Sequence, residues 1–253
     1  MDITCFTERV MDIRSMKRAA DVAAGRCKAD LVIKRANYLD VFSAEVRRGD
    51  IAVCDGRIAG IGDYSGETEC DFGDCVVVPG LIDAHMHIES TQLSPESFAS
   101  LAVPRGTTLV VADPHEIVNV CGIEGARYIA RAAARTPLQV KLMLPSCVPA
   151  TPFETSGAVL TAEDTAKLLR SKTFFGLGEM MNYPAVAAGD DEALGKMLAA
   201  RLADKPADGH APAMSGSQLN AYVVSGARTD HECATAEEAL EKISLGMYVL
   251  LRE

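Results

Sequence analysis

The sequence predicts an α/β protein: a (β/α)8-type barrel, incomplete at about seven strands, with a small N-terminal β-sandwich module. Three observations predict it. From residue 76 onward, apolar strand-like runs alternate with helix-like segments to the end of the chain, which requires a parallel sheet with helical crossovers. No GxGxxG follows the first of these strands, which argues against a doubly wound dinucleotide fold. Before residue 76 the pattern is different, with short β-like runs broken by Gly, Asp and Asn.

In order along the chain, residues 8–25, "ERVMDIRSMKRAADVAAG", have helix-forming composition and end at Gly25; they predict an amphipathic packing helix. "DLVIKRANYLD", "EVRRGDIAVCDGRIAGIGD" and "ECDFGDCVVVP" predict the strands of the small module, and Asp55-Gly56 between "IAVC" and "RIAGI" predicts a hairpin turn. The barrel strands are placed at "VVVPGLIDAHMH", "TTLVVADPHE", "QVKLMLPSC", "TFFGLGEM", "PADGHAP", "ARTDHE" and "GMYVLLRE". Helix starts fall between them. Ser94 precedes Pro95 as an N-cap with proline at the first helical position. Thr161 to Asp164 and Thr235 to Glu238 have capping-box spacing. The expected organisation is a helical segment over 1–27, part of a β-sandwich over 28–78, and a truncated barrel over 79–253.

With 253 residues, 48% of them hydrophobic, the chain can bury a sizeable core. A net charge of −10 argues against nucleic acid as a partner. No apolar run reaches the ~18 residues of a membrane span, and the N-terminus lacks the pattern of a secretory signal. Eight cysteines without a CxxC pair read as reduced thiols of a cytoplasmic protein.

The histidines carry the chemistry. Side chains alternate along a strand, so His85 and His87 point to one side and can share a cation. The other three, His115, His210 and His231, also fall at the carboxyl ends of predicted strands. That is the rim where such barrels hold active sites. In "FFGLGEMMNYP" an apolar strand runs straight into Glu179; a buried carboxylate there needs a partner such as a metal ion, and its two oxygens can bridge two ions. Imidazole and carboxylate donors suit iron, zinc or manganese alike.

The stretches "PGLIDAHMHIES", "GTTLVVADPHEI", "MLPSCVPATPFETSGA", "GLGEMMNYP", "DGHAP", "SGSQLNAY" and "TDHECATAEEALEKISLGM" resemble, in order, the motifs of the adenine deaminases within the amidohydrolase superfamily. The resemblance covers roughly residues 28 to 253. It implies a metal-dependent hydrolase barrel with two divalent ions, manganese or iron, or else zinc. His85 and His87 would hold one ion, His210 and His231 the other, and Glu179 would bridge them. Lys172 is no substitute for Glu179, because it sits at the start of its strand. The implied reaction is attack of an activated water on C6 of adenine, giving hypoxanthine and ammonia. Asp113, His115, Glu116 and Glu232 are candidates for proton transfer or support of the site, Asp113 and Asn182 for contact with the purine. A small-molecule purine in salvage metabolism and a homo-oligomeric full-length enzyme belong to the same expectation. Alternatives are another amidohydrolase acting on a cyclic amide or amine, and an inactive metal-binding fragment.

One departure bears on activity. Superfamily members carry an aspartate at the end of strand eight, and the chain stops at Glu253, before that strand. The expectation is the N-terminal part of a longer enzyme, with impaired catalysis and two unpaired sheet edges.

Overall fold

The structure is a computed structural model that describes residues 12–151 and 153–252. The chain divides between Gly80 and Leu81 into two compact units.

Among its described residues the first unit holds one helix, α1 (Ile13–Ala23), and five strands: β1 (Ala29–Asp40), β2 (Glu45–Cys54), β3 (Arg57–Gly62), β4 (Gly66–Asp71) and β5 (Val76–Val77). Asp12 caps α1 in a capping box with Ser15; residues 8–11 of the predicted helix lie outside the described residues. The strands form one sheet in the order β3-β2-β1-β4, with β5 also paired to β1. The predicted hairpin joins β2 to β3. Cys54 pairs with Arg57, and Asp55 and Gly56 both have positive φ, 50° and 73°, as a tight two-residue turn between twisted strands requires. Val22 of α1 shares a small core with Ala29, Val32, Ala52 and Cys54. Helix and strands are therefore one packed unit.

Among its described residues the second unit contains seven strands: β6 (Leu81–Met86), β7 (Thr107–Ala112), β8 (Gln139–Leu144), β9 (Gly176–Met180), β10 (Ala207–Gly209), β11 (Thr229–Asp230) and β12 (Tyr248–Val249). Between successive strands run α2 (Pro95–Ala102), then α3 (His115–Cys121) with α4 (Ile123–Ala133), α5 (Ala162–Leu168), α6 (Tyr183–Ala188) with α7 (Asp191–Leu202), α8 (Gly216–Ser225) and α9 (Ala236–Ser244). Strands β6 to β10 form a parallel sheet in chain order. A doubly wound sheet reverses strand order at a switch point; this order never reverses, which is the winding of a barrel. A bridge from Ala207 to Ala227 links β10 to the parallel pair β11-β12. Among the described residues β6 pairs only with β7 and β12 only with β11, and Leu81 and Ile82 of β6 are 60% and 64% exposed.

The predicted helix starts are present. Ser94 caps α2 with Pro95 at its first position. Thr161 and Asp164 form a full capping box on α5. On α9 the Thr235 side chain accepts from Glu238 N, but the Glu238 carboxylate reaches back to Ala234 N instead of completing the box.

Two strand expectations need correction. The run 76–87 is two strands, one in each unit, because Pro79-Gly80 interrupts it: proline has no N–H to donate to a ladder. The last three strands are two or three residues long. Pro206 and Pro212 flank β10, and proline has no N–H to extend a ladder.

The main core lies between sheet and helices and includes Val110, Leu142, Leu144, Leu177, Leu219 and Tyr222. All five residues of β9 are buried. That burial makes Glu179, the only charged residue of this strand, the outlier the sequence marks.

Candidate metal centre

Side chains from the ends of five strands converge. His85 lies near the end of β6 and His87 just past it; Asp113 follows β7, Glu179 is the fourth residue of β9, and His210 and His231 follow β10 and β11 directly. His115 is not strand-terminal as expected but the first residue of α3. It still reaches the same rim, because Asp113-Pro114 makes only a short turn.

Glu179 stands at the middle. Its Oε1 lies 3.4 Å from His87 Nε2 and 3.3 Å from His115 Nδ1. Its Oε2 lies 2.8 Å from His210 Nδ1 and 2.9 Å from His231 Nε2. Each carboxylate oxygen thus faces its own pair of imidazoles. His85 stacks on His231 with ring centroids 3.8 Å apart and meets His87 edge-on at 5.0 Å. Five overlapping sets among the described residues place one donor atom per residue within 4.8 Å of one another: His85/His87/Glu179, Glu179/His210/His231 and Asp113/His115/Glu179, which share Glu179, and His85/Asp208/His231 and His87/His115/Glu116.

Local sequence explains how Glu179 is held. Its backbone N–H donates to Asp113 Oδ2 at 2.9 Å. That approach needs Gly178, since a Cβ there would sit 2.1 Å from the same oxygen. The Tyr222 hydroxyl donates to Met180 O and accepts from His210 N, both at 3.0 Å, tying the ends of β9 and β10 together. His87 donates from Nδ1 to Asp113 O at 2.7 Å. A carbonyl only accepts, so the proton sits on Nδ1 and Nε2 is left as the donor for a cation.

The electrostatics are those of a site built for cations. Burial works to raise the Glu179 pKa, but hydrogen bonds from His210 and His231 outweigh it and hold the carboxyl well below its usual range. Burial, reinforced by the Glu179 charge, pushes Asp113 well up. Burial lowers His115. Glu89 is raised to about 7 by burial, with Glu116 adding to the shift. Seven buried side-chain polar atoms lack a hydrogen-bond partner among the described residues. Six of them are here: His85 Nε2, Glu89 Oε2, Asp113 Oδ1, His115 Nδ1, Glu116 Oε2 and His231 Nδ1. Buried polar groups are nearly always partnered, so this concentration fits divalent cations, as does the imidazole–carboxylate donor set.

The remaining candidates are dispersed around this centre. Glu116 accepts from Ser90 Oγ at 2.5 Å and stands 3.8 Å from His87. Glu232 lies 3.5 Å from His231 Nε2 and pairs with Arg252 at 2.7 Å. Asn182 is not brought into the histidine cluster. Its side chain caps α6 through Ala185 N, and it lines a small pocket with Ser146, Cys147 and Lys196. Its neighbour Tyr183 does face the cluster, 6.4 Å from the His210 ring. A cavity of about 580 Å³ opens beside His85, His87 and His231, between β6 and residues 250–252. Asp208, Glu89, Asp230, Lys242 and Tyr222 also brace the site and are not among the residues the sequence singles out. A buried position for Asp208 or Lys242 has no local signature, whereas Glu89 in "HIES" lay within sight of the histidine pair.

The amidohydrolase family model matches residues 76–251. The chain belongs to the amidohydrolase family. This amidohydrolase is similar to adenine deaminase 2 of Desulfotalea psychrophila, 54% identical over 243 residues that cover 96% of this chain and 42% of the relative. It is also similar to the adenine deaminases of Ligilactobacillus salivarius (50% identical; 96% and 42% covered) and Archaeoglobus fulgidus (49%; 96% and 43%). The chain therefore spans about two fifths of the length of these relatives. Among solved structures, the fold is like that of a zinc-complexed N-acyl-D-glutamate deacylase from Bordetella bronchiseptica. The TM-score is 0.61 at 18% identity, covering 89% of this chain and 58% of that one. A structure of D-aminoacylase, described as having a binuclear metal centre, matches at TM-score 0.52 and 17% identity, over 88% of this chain and 58% of that one. No helix among the described residues is long and apolar enough to cross a membrane.

Proposed function

We propose that the protein carrying this chain is an adenine deaminase that uses two divalent cations, manganese or iron, with zinc as the alternative. The observation that supports it most is the division of labour at Glu179, one oxygen toward His87 and His115 and the other toward His210 and His231. The adenine deaminases at about half identity point to the purine.

In this reading His85, His87, His210 and His231 would hold the ions, and Glu179 would serve both. When bound, the ions supply a water of lowered pKa as nucleophile for C6. The chain's own groups do the rest. Asp113 fixes the Glu179 backbone and, from the floor of the site, borders the place where the purine would lie. His115, Glu116 and Glu232 surround the cluster within 4 Å of its imidazoles or carboxylate; we assign them to proton delivery at N1 and at the departing amine. Asn182 supports the purine wall by closing the turn that carries Tyr183. The same reading places the protein in cytoplasmic purine salvage, as a homo-oligomer.

The test is ammonia release from adenine, guanine and cytosine, alongside ring opening of dihydroorotate followed by its ultraviolet absorbance, by protein loaded with manganese or iron. Turnover of adenine above the others is expected. Preference for dihydroorotate would mean a cyclic-amide hydrolase, and stoichiometric metal without turnover an inactive metal-binding protein.

A further inference from the structure

We infer that Asp208 is the positioning residue for His85: its carboxylate accepts the Nδ1 proton of the imidazole and so presents a bare Nε2 to a divalent cation. The inference rests on the metal-centre reading above and adds to it a residue outside the proposed ligands.

Asp208 is in β10 and His85 in β6, at opposite edges of the five-stranded sheet. Their side chains meet across the curl, Oδ2 to Nδ1 at 2.7 Å, and are only 6% and 8% exposed. The other carboxylate oxygen, Oδ1, accepts from Thr229 Oγ1 and from Gly209 N. Both oxygens are engaged by protein donors, which favours Asp208 as the partner of a ligand, although it also stands within 4.8 Å of donor atoms of His85 and His231. Gly209 permits the arrangement: a Cβ there would stand 2.0 Å from Thr229 O and force β10 and β11 apart.

An ionised carboxylate can only accept, so the shared proton sits on His85 Nδ1. His85 Nε2 is buried without a hydrogen-bond partner. His87 receives the same tautomer from the carbonyl of Asp113. Both histidines of the pair thus offer Nε2. A ligating histidine commonly donates its second N–H to a carboxylate or carbonyl, which orients the ring and fixes the tautomer.

Asp208→Asn separates this role from mere packing. The amide keeps the shape, and because Gly209 N can only donate, the amide oxygen is the atom that stays with it. Its NH2 then faces His85 and stabilises the opposite tautomer, with the proton on Nε2. Long-range proton–nitrogen spectra of the metal-free protein, recorded above the usual imidazole pKa of ~6.5, read this directly. Expected are an Nδ1–H His85 in the wild type, an Nε2–H His85 in Asp208→Asn, and manganese affinity lowered on the order of 10–100-fold. Thr229→Val, which removes one donor to Oδ1 and one acceptor of Gly209 N but leaves the carboxylate in place, should give a smaller loss; it and the wild-type tautomer decide the matter if Asp208→Asn does not fold. An Nε2–H His85 in the wild type, or full manganese affinity in a folded Asp208→Asn, overturns the inference. An Nδ1–H His85 in a protein that binds no manganese, iron or zinc instead overturns the metal-centre reading.

Discussion

Lys242 Nζ donates to Asp230 Oδ2 at 2.8 Å, and both side chains are wholly buried. The pair lies directly behind the proposed centre. Asp230 precedes His231 and accepts from Ala211 N at 2.7 Å, while Lys242 also donates to Ala211 O at 2.7 Å. Ala211 follows His210, so one ion pair fixes the backbone beside both histidines. Lys242→Met would leave Asp230 as an uncompensated buried charge. The expected cost is about 3–5 kcal/mol, measured by urea unfolding of the metal-free protein.

The same pair predicts a pH dependence. Burial alone would raise the Asp230 pKa, but the hydrogen bonds from Lys242 and Ala211 N lower it. A depressed folded pKa stabilises the fold above the unfolded value of ~3.9, and the contribution disappears as pH falls through the lower folded value. Thermal midpoints should therefore fall in acid below about pH 4. In Lys242→Met the fall should begin at higher pH, because the lysine no longer holds the carboxyl down. Coincident profiles for the two proteins would exclude a stabilising role for the pair.

Gly178→Ala tests the floor of the site. The new Cβ would meet Asp113 Oδ2 at 2.1 Å, so either the strand or the carboxylate must move and the Glu179 N–H loses its acceptor. The cost expected of overpacking is about 1–3 kcal/mol. Metal content after dialysis should fall with it, since Glu179 is displaced. An unchanged melting temperature would show that Asp113 relocates freely.

Glu179→Gln removes the charge that faces four imidazoles and keeps the shape. Elemental analysis should find fewer than two ions per chain, and ammonia release from adenine should drop by at least ~10²-fold, beyond the loss typical of a group behind the ligands.

Removal of metal is expected to lower the melting temperature. A ligand bound only by the folded state stabilises it by about 2.7 kcal/mol at a hundredfold excess over Kd. Calorimetry with and without a chelator reads the difference. Identical scans would deny tight binding to the folded chain.

Much of this was legible in the residues alone. Strand and helix alternation is a local pattern, and so are Ser94-Pro95, the capping box at Thr161 and the turn at Asp55-Gly56. The order of β6 to β10 follows from the short range of right-handed crossovers. Even the convergence of His85, His87, Glu179, His210 and His231 follows from one rule, that the carboxyl ends of parallel strands share a rim. What local periodicity could not contain is which polar group meets which. Asp208 and His85 are separated by 123 residues, and their hydrogen bond exists only because the sheet curls until its edges face each other. The buried Lys242 reads in sequence as an ordinary exposed helix lysine, and His115 as a strand end. Only tertiary packing, which decides what is shielded from water and which donor lies nearest each carboxylate, gave them their places.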